Sequence, residues 1–184
     1  MITREEAFKL VEEKIKNVNL RKHMWSTEAC LRSIAPRFSG DPDLWGLAGL
    51  LHDVSYEDAE KAGGEMVLHA EMGAKLAEES DLPSEGVQAI RAHAGGVPLE
   101  SYLDKVLYAV DPLTGLIVAA ALMHPDKLGG LQAKSVLKRF KDKRFAAGAD
   151  RDQIRTCTDF GMELDEFVAV CLEAMRGIRD ELGL

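Results

Sequence analysis

The sequence predicts an all-α fold, a single helical bundle with no substantial sheet. Apolar residues recur at helical spacing along most of the chain, as in the series Phe8, Val11 and Ile15. No stretch alternates apolar and polar residues between hairpin turns, which is the pattern of a half-buried strand. The chain has 184 residues, and a typical domain has ~100–200. Residues 1–184 are therefore predicted to form one domain.

Capping and helix-breaking residues predict where the first helices begin and end. Thr3 and Glu6 form a capping-box pattern, and the apolar series that follows extends to Val18. A second helix is predicted over about 20–35, because Pro36 and later Gly40 end it.

The third helix has the clearest start and carries polar residues at its end. Asp41 is an N-cap and Pro42 occupies the first helical position. An apolar face follows, and the helix ends at His52 and Asp53. Further helices are predicted over about 65–79, from Pro83 to the Gly95–Gly96 break, and over about 99–123, 131–143 and 164–182.

The helix over 99–123 is apolar enough to be central, and Pro112 is predicted to kink or interrupt it at Asp111. Beyond it, residues 124–184 are predicted to be C-terminal helices that close the bundle.

Charge and cysteine content exclude several classes of protein. The net charge of −8 argues against a partner such as bulk nucleic acid or an anionic membrane. Three cysteines without CxxC spacing predict reduced thiols and a cytoplasmic location. The first residues lack the pattern of a signal peptide, and the longest apolar run, 116–123, is too short to span a membrane. The expected state is a monomer or homodimer.

Four of the five histidines and two aspartates form a row of polar residues among the apolar helices. They are His23, His52, Asp53, His69, His93 and Asp111. Imidazole and carboxylate are ligands for divalent metals, so one or two ions of Fe, Mn, Zn, Co or Ni are expected. An unpaired Asp53 on an apolar helix would cost several kcal/mol, which a cation offsets. Taken singly, each histidine could instead be a structural residue, and Asp111 could belong to an Asp-Pro turn.

The order and flanks of these residues resemble the HD superfamily of metal-dependent phosphohydrolases, named for the adjacent His-Asp pair. The resemblance covers residues 20–123 and includes the segments 47–53, 69–74, 89–93 and 107–111. It implies an HD-domain helical bundle and an enzyme.

The resemblance also implies a division of the ligands between two metals. The first would take His23, His52, Asp53 and Asp111. The second would take His69 and His93 with Asp53 as the bridge, so these three residues are assigned the catalytic roles. Two metals ~3.5–4 Å apart activate a shared hydroxide. The alternative is one metal, with His69 and His93 orienting the substrate phosphate.

The chain departs from the family three residues after Asp53. Many two-metal members have a lysine there, and this chain has Tyr56. Replacement cations that would bind the substrate are Lys134, Lys138 and Lys141, which share one face of the basic helix. The alternative is a solvated helix face.

The expected function is hydrolysis of a phosphoester or phosphoanhydride by a metal-bound hydroxide. The substrate would be a small, anionic phosphorylated metabolite, with a nucleotide favoured. Segment 89–96 also resembles HD enzymes that split diadenosine tetraphosphate. Two alternatives remain open: a di-iron oxygenase of the same fold that cleaves a C–H or C–P bond, and a non-catalytic nucleotide sensor.

Overall fold

The computed structural model describes residues 1–64 and 66–184. Within these residues the fold is all-α and has no strand, which confirms the predicted class. The longer helices are α1 (Arg4–Lys14), α2 (Val18–Ile34), α3 (Pro42–Leu51), α5 (Met66–Glu79), α6 (Ser84–Ala92), α7 (Tyr102–Leu122), α9 (Ala133–Phe140) and α11 (Leu164–Gly177). Between them lie the short helices α4 (Tyr56–Lys61), α8 (Lys127–Gly130), α10 (Arg151–Arg155) and α12 (Arg179–Leu182), and 3₁₀ turns at Ala35–Phe38 and Thr156–Phe160.

The predicted helix starts are confirmed by their hydrogen bonds. The backbone N–H of Glu6 donates to the Thr3 hydroxyl at 3.3 Å, and the N–H of Thr3 donates to the Glu6 carboxylate at 2.9 Å. The Asp41 side chain accepts the N–H of Asp43 at 2.9 Å, with Pro42 at the first position of α3. These bonds satisfy backbone donors that a helix N-terminus leaves free.

The junction between α1 and α2 differs from the prediction. Ile15 leaves the helix in an extended conformation, and the Asn17 side chain caps α2 by accepting the N–H of Asn19. The second helix therefore begins at Val18, before the predicted residue 20. Ile15 is buried and Val18 is exposed, so Val18 does not belong to the apolar face of α1.

Other boundaries also shift. The predicted helix over 131–143 is the shorter α9. The predicted last helix divides into α11 and α12 because Ile178 leaves helical geometry, with φ −115° and ψ 19°. The predicted start of α5 at residue 65 lies outside the described residues. The short helices α4 and α10 were not predicted, since one or two turns carry too few residues for a periodic pattern.

Pro112 does not interrupt the central helix, so that part of the expectation was wrong, while a kink at this position stays a prediction. α7 runs unbroken from Tyr102 to Leu122. Proline has no N–H to donate to the carbonyl four residues earlier, that of Tyr108. The Gln153 side-chain amide of α10 donates to that oxygen instead, at 2.7 Å. Asp111 consequently lies within a continuous helix, and its position is fixed by the helix itself.

α7 is also the helix around which the others pack. It contacts α2, α6, α9, α10 and α11, and its buried side chains join one core with residues from α1 to α12. By length and composition α7 could cross a membrane, but 56% of its most apolar stretch is buried inside the protein. The core helix of a soluble protein meets the same criteria. The cytoplasmic location stays a prediction, as does the single-domain organisation.

The bond from Gln153 predicts a measurable coupling with Pro112. Gln153→Ala should lower the free energy of unfolding by about 1 kcal/mol, because the Tyr108 carbonyl loses its donor. In a Pro112→Ala background, residue 112 regains an N–H, and the same substitution should cost much less. Urea unfolding of the four proteins of this double-mutant cycle measures the difference. Equal costs in both backgrounds would contradict the proposed role of Gln153.

Candidate metal centre

The six predicted ligands, dispersed along the sequence, come together in one cluster. His23 lies on α2, His69 on α5 and Asp111 on α7, while His52 and His93 each follow the last residue of a helix, α3 and α6. Asp53 lies in the turn after α3. Three overlapping triads of these residues have their ligand atoms within 4.8 Å of one another.

The Asp53 carboxylate divides the cluster into two lobes. Its Oδ2 lies 3.6 Å from His23 Nε2 and 3.4 Å from His52 Nε2. Its Oδ1 lies 3.2 Å from His69 Nε2 and 3.5 Å from His93 Nε2. One carboxylate therefore offers a separate oxygen to each pair of histidines.

Asp111 adds a second carboxylate to the lobe of His23 and His52, which we call the first lobe. Its Oδ1 lies 3.1 Å from His23 Nε2 and 3.9 Å from His52 Nε2. The second lobe consists of Asp53 Oδ1, His69 and His93. The two lobes contain the residues that the sequence resemblance would assign to two metals, and the number of ions stays a prediction.

The spacing of the ring nitrogens suits metal ligands. The Nε2 atoms are 3.1 Å apart in the pair His23 and His52, and 2.9 Å apart in the pair His69 and His93. A metal that binds imidazole at 2.0–2.1 Å holds two such nitrogens roughly 2.9–3.4 Å apart at octahedral or tetrahedral angles. Each pair can therefore bind one ion without a large rearrangement.

Two histidines are oriented by the same local bond. His52 Nδ1 lies 2.8 Å from the Gly49 carbonyl, and His93 Nδ1 lies 2.6 Å from the Ile90 carbonyl. Each carbonyl belongs to the last turn of a helix, where it has no backbone donor within the helix. Because a carbonyl only accepts, both rings carry their proton on Nδ1 and direct the Nε2 lone pair into the cluster.

Thr114 orients the ring of His23. Its hydroxyl donates to the Asp111 backbone carbonyl at 2.9 Å, so toward His23 Nδ1, at 2.8 Å, the hydroxyl oxygen accepts. In their neutral forms, His23 and His52 then face each other with unprotonated Nε2 atoms. Two facing lone pairs repel unless a cation lies between them. The donors of the first lobe thus fit a divalent metal.

Small residues allow the helices to approach the His-Asp turn closely. A Cβ at Gly49 would lie 2.8 Å from a methyl carbon of Leu31 on α2. A Cβ at Gly73 would lie 3.2 Å from Ser55 Oγ, next to the His-Asp turn. The Ser55 hydroxyl also donates to the His69 backbone carbonyl at 2.6 Å. Glycine at these positions therefore allows α2 to pack closely on α3, and α5 on the His-Asp turn. The serine bond holds α5 to that turn.

Burial and neighbouring charges set the protonation of the cluster. Burial alone would raise the pKa of Asp53, but the surrounding histidines hold it well below its usual value. Burial, with the nearby His23 and His93, lowers the pKa of His52 to about 4. Burial also opposes protonation of His23 and His93, yet the aspartates raise both pKa values. The carboxylates are thus ionised at neutral pH, and the protons on His23 and His93 compete with a metal.

The cluster is reached from the first lobe. The side chains of His23 and Asp111 are 20% and 25% exposed, whereas those of His52, His69 and His93 are at most 3% exposed. Solvent and a small molecule can therefore contact the edge formed by His23 and Asp111.

The lysines that the sequence predicts for substrate binding lie on the surface of the protein. Lys134, Lys138 and Lys141 are exposed on and just after α9, which packs against α7 and α11. Their role in substrate binding stays a prediction. Tyr56 lies beside the second lobe, with its ring centre 5.4 Å from that of His69.

Sequence reasoning missed the residues that support the ligands. Thr114 is three residues after Asp111 and Ser55 is two residues after Asp53, so each was adjacent to a recognised motif. Nothing in the local pattern distinguishes them from other hydroxyl residues, because their partners His23 and His69 lie on other helices.

An all-α bundle with a buried His/Asp cluster defines a helical protein with a metal centre. Comparison with models of protein families finds that the HD domain matches residues 20–121, a range that includes all six ligands. The match covers more than half of the chain, and the chain belongs to the HD-domain family. The family is part of a superfamily of metal-dependent hydrolases. Comparison with curated proteins and with solved structures gives no match.

Removing the Thr114 hydroxyl should weaken metal binding. Thr114→Val keeps the shape but leaves His23 Nδ1 without its acceptor, so affinity should fall about 10–100-fold. Thr156→Val is the matched control, because the Thr156 hydroxyl also donates to a carbonyl three residues earlier, that of Gln153, but contacts no histidine. Competition with a coloured chelator measures both affinities. Equal affinities in the two variants would contradict the role of Thr114.

Metal affinity should also rise with pH. The raised pKa values of His23 and His93 mean that a metal must displace protons, and this competition is strongest at pH values below those pKa values. The apparent affinity should therefore fall as pH decreases from about 8 to about 6, with release of protons on binding. Calorimetry in two buffers of different ionisation enthalpy measures the number of protons released. A pH-independent affinity would contradict this assignment.

Proposed function

We propose that the protein is a metal-dependent phosphohydrolase that hydrolyses a phosphoester or phosphoanhydride of a small phosphorylated metabolite, with a nucleotide as the favoured substrate. The single observation that carries the proposal is the geometry of Asp53. Its two oxygens face two separate pairs of buried histidines. This is the donor arrangement that two adjacent divalent ions require.

The metal supplies the reactive chemistry when bound, since it lowers the pKa of a water molecule and polarises a phosphoryl oxygen. Hydrolysis adds that water across a P–O bond, and the leaving group takes a proton. This reaction needs no nucleophilic side chain. The three cysteines are buried, and burial raises the pKa of the Cys157 and Cys171 thiols, with the Cys30 thiol also raising that of Cys171. These two buried thiols are poor nucleophiles.

The protein's own residues hold the reacting groups in place. Asp53 stays ionised and serves both lobes, while the bonds from the His23, His52 and His93 Nδ1 atoms fix the direction of the ligand nitrogens. Burial of the second lobe limits solvent to the side of His23 and Asp111. A substrate that approaches this exposed edge reaches the centre with its phosphate first.

A di-iron oxygenase that cleaves a C–H or C–P bond would use the same ligands. Ligand geometry does not separate the two reactions, because iron in such a centre supports either one. The identity of the bound metal and oxygen consumption do separate them. Iron with substrate-dependent oxygen uptake and no phosphate release would replace the hydrolase proposal.

The first test is the metal content of protein purified without chelators. We expect close to two ions per chain, about one in His69→Ala, and almost none in Asp53→Asn, because Asp53 serves both lobes. Asp126→Asn, an exposed aspartate of the same size, is the matched control and should keep both ions. Elemental analysis of the four proteins gives the stoichiometry. One ion that persists in His69→Ala would indicate a single-metal site.

Activity is tested on the same proteins with a panel of nucleoside phosphates, including a dinucleoside tetraphosphate. Phosphate release should require the metal, stop with a chelator and return on adding metal back. The rate of phosphate release should fall by at least about a hundredfold in Asp53→Asn, because this variant loses the metal that activates the attacking water. A fully metal-loaded protein that hydrolyses nothing on the panel would contradict the proposed function.

A further inference from the structure

A cavity of about 390 Å³ lies beside the first lobe. His23 and Thr114, the ligand and the residue that orients it, both line this cavity. Its volume lies within the range of ~300–1,000 Å³ that is typical of small-molecule sites. Because partly exposed His23 lines it, the cavity adjoins the side of the cluster that is open to solvent.

The cavity continues the metal centre along two helices. On α7, Asp111, Gly115, Val118 and Leu122 follow one another at spacings of four, three and four residues, which places them on one face. The last three of these line the cavity, as does Asn19, which lies one turn before His23 on α2. A molecule that contacts Asp111 with one end can extend along this face into the cavity.

The walls combine one cation with apolar side chains. Lys22 is adjacent to His23 in the sequence. Among the described residues that line the cavity, it is the only side chain with a permanent charge, since His23 is charged only when protonated. Within the described part of the chain no carboxylate pairs with Lys22, whereas Lys14 and Lys61 both pair with Asp58. Val118 and Leu122 supply apolar surface. The cavity thus suits an organic group attached to an anion.

The geometry points to this cavity as the binding site for the organic part of the substrate, with Lys22 as a cation for its phosphate. The inference rests on the proposed function, and it narrows the substrate to a nucleoside phosphate. The nucleoside lies against Val118 and Leu122, with Asn19 available for hydrogen bonds to a base or sugar. Lys22 then supplies positive charge in the wall of this cavity.

Gly115 offers a direct test, because filling its space blocks the cavity. A Cβ at Gly115 has no neighbour within 4 Å, so a larger side chain enters the cavity without a clash. Leucine also favours a helix interior more than glycine does, and the variant should fold well. Gly115→Leu should keep its two metal ions and weaken binding of a nucleoside monophosphate at least tenfold. Gly177→Leu, at another open glycine near the end of α11, is the control.

The role of Lys22 is tested by measuring ligand binding and by determining whether its substitution changes KM, kcat or both. Lys22→Gln should raise KM for nucleoside phosphates and the inhibition constant of inorganic phosphate about tenfold, with kcat changed less than threefold. Lys22→Arg should restore most of the affinity, because it restores the charge. Lys75→Gln, an exposed lysine on α5, is the control. The variants Lys134→Gln, Lys138→Gln and Lys141→Gln, on and next to α9, test the alternative that the phosphate binds to the lysines predicted from the sequence.

The outcomes separate this inference from the proposed function. Calorimetry of the metal-loaded protein with a nucleoside monophosphate, together with phosphate release, gives two independent readouts. Binding that Gly115→Leu and Lys22→Gln abolish supports the cavity even if no phosphate is released, and only the hydrolase proposal then fails. Hydrolysis unchanged in both variants overturns the cavity inference while the function stands. An increase in KM confined to the α9 variants also overturns it, as does a wild-type protein that neither binds nor hydrolyses a nucleotide.

Discussion

The buried carboxylate of Asp53 imposes the constraint on which the rest of the centre depends. A carboxylate held away from solvent is costly unless it is compensated by cations or hydrogen bonds. Here four imidazoles surround it and keep its pKa low, but they are neutral when they act as ligands. The compensation must therefore come from protons on the histidines or from metal ions. The stability of the folded protein and its binding of metal are therefore coupled through the Asp53 carboxylate.

The helices are arranged so that ligand atoms meet at Asp53 from several directions. Two ligands follow helix C-termini, where free carbonyls orient the His52 and His93 rings. The others come from the sides of α2, α5 and α7. Gly49 and Gly73 allow the close approach that this geometry needs, and the 2.6 Å bond from Ser55 holds α5 to the same turn. The same packing interactions that build the core thus position the ligands.

Local signals in the sequence were sufficient for the fold class, the helix caps and the grouping of the ligands. Thr3 with Glu6 and Asp41 with Pro42 act within a few residues, so their patterns are readable. The continuity of α7 through Pro112 was not predicted, because the donor to the Tyr108 carbonyl is Gln153, which is 45 residues away in the sequence. The cavity was missed for a similar reason. Lys22 is next to His23 in sequence, but its place in the same cavity wall as Gly115 depends on how α2 packs against α7.

The charges of the centre favour a phosphate ester over an uncharged substrate. Two divalent ions, if bound as proposed, would carry more positive charge than Asp53 and Asp111 neutralise, and the histidine ligands add none in their neutral form. A phosphate monoester carries a charge of roughly −1.5 to −2 at neutral pH and can balance this excess. A C–H bond to be oxidised offers no such balance, whereas a phosphonate cleaved at its C–P bond would offer a similar negative charge. Lys22 adds positive charge in the cavity beside the exposed edge. The chain as a whole is acidic, so with metal bound this local reversal of charge would give the proposed anionic substrate a defined direction of approach.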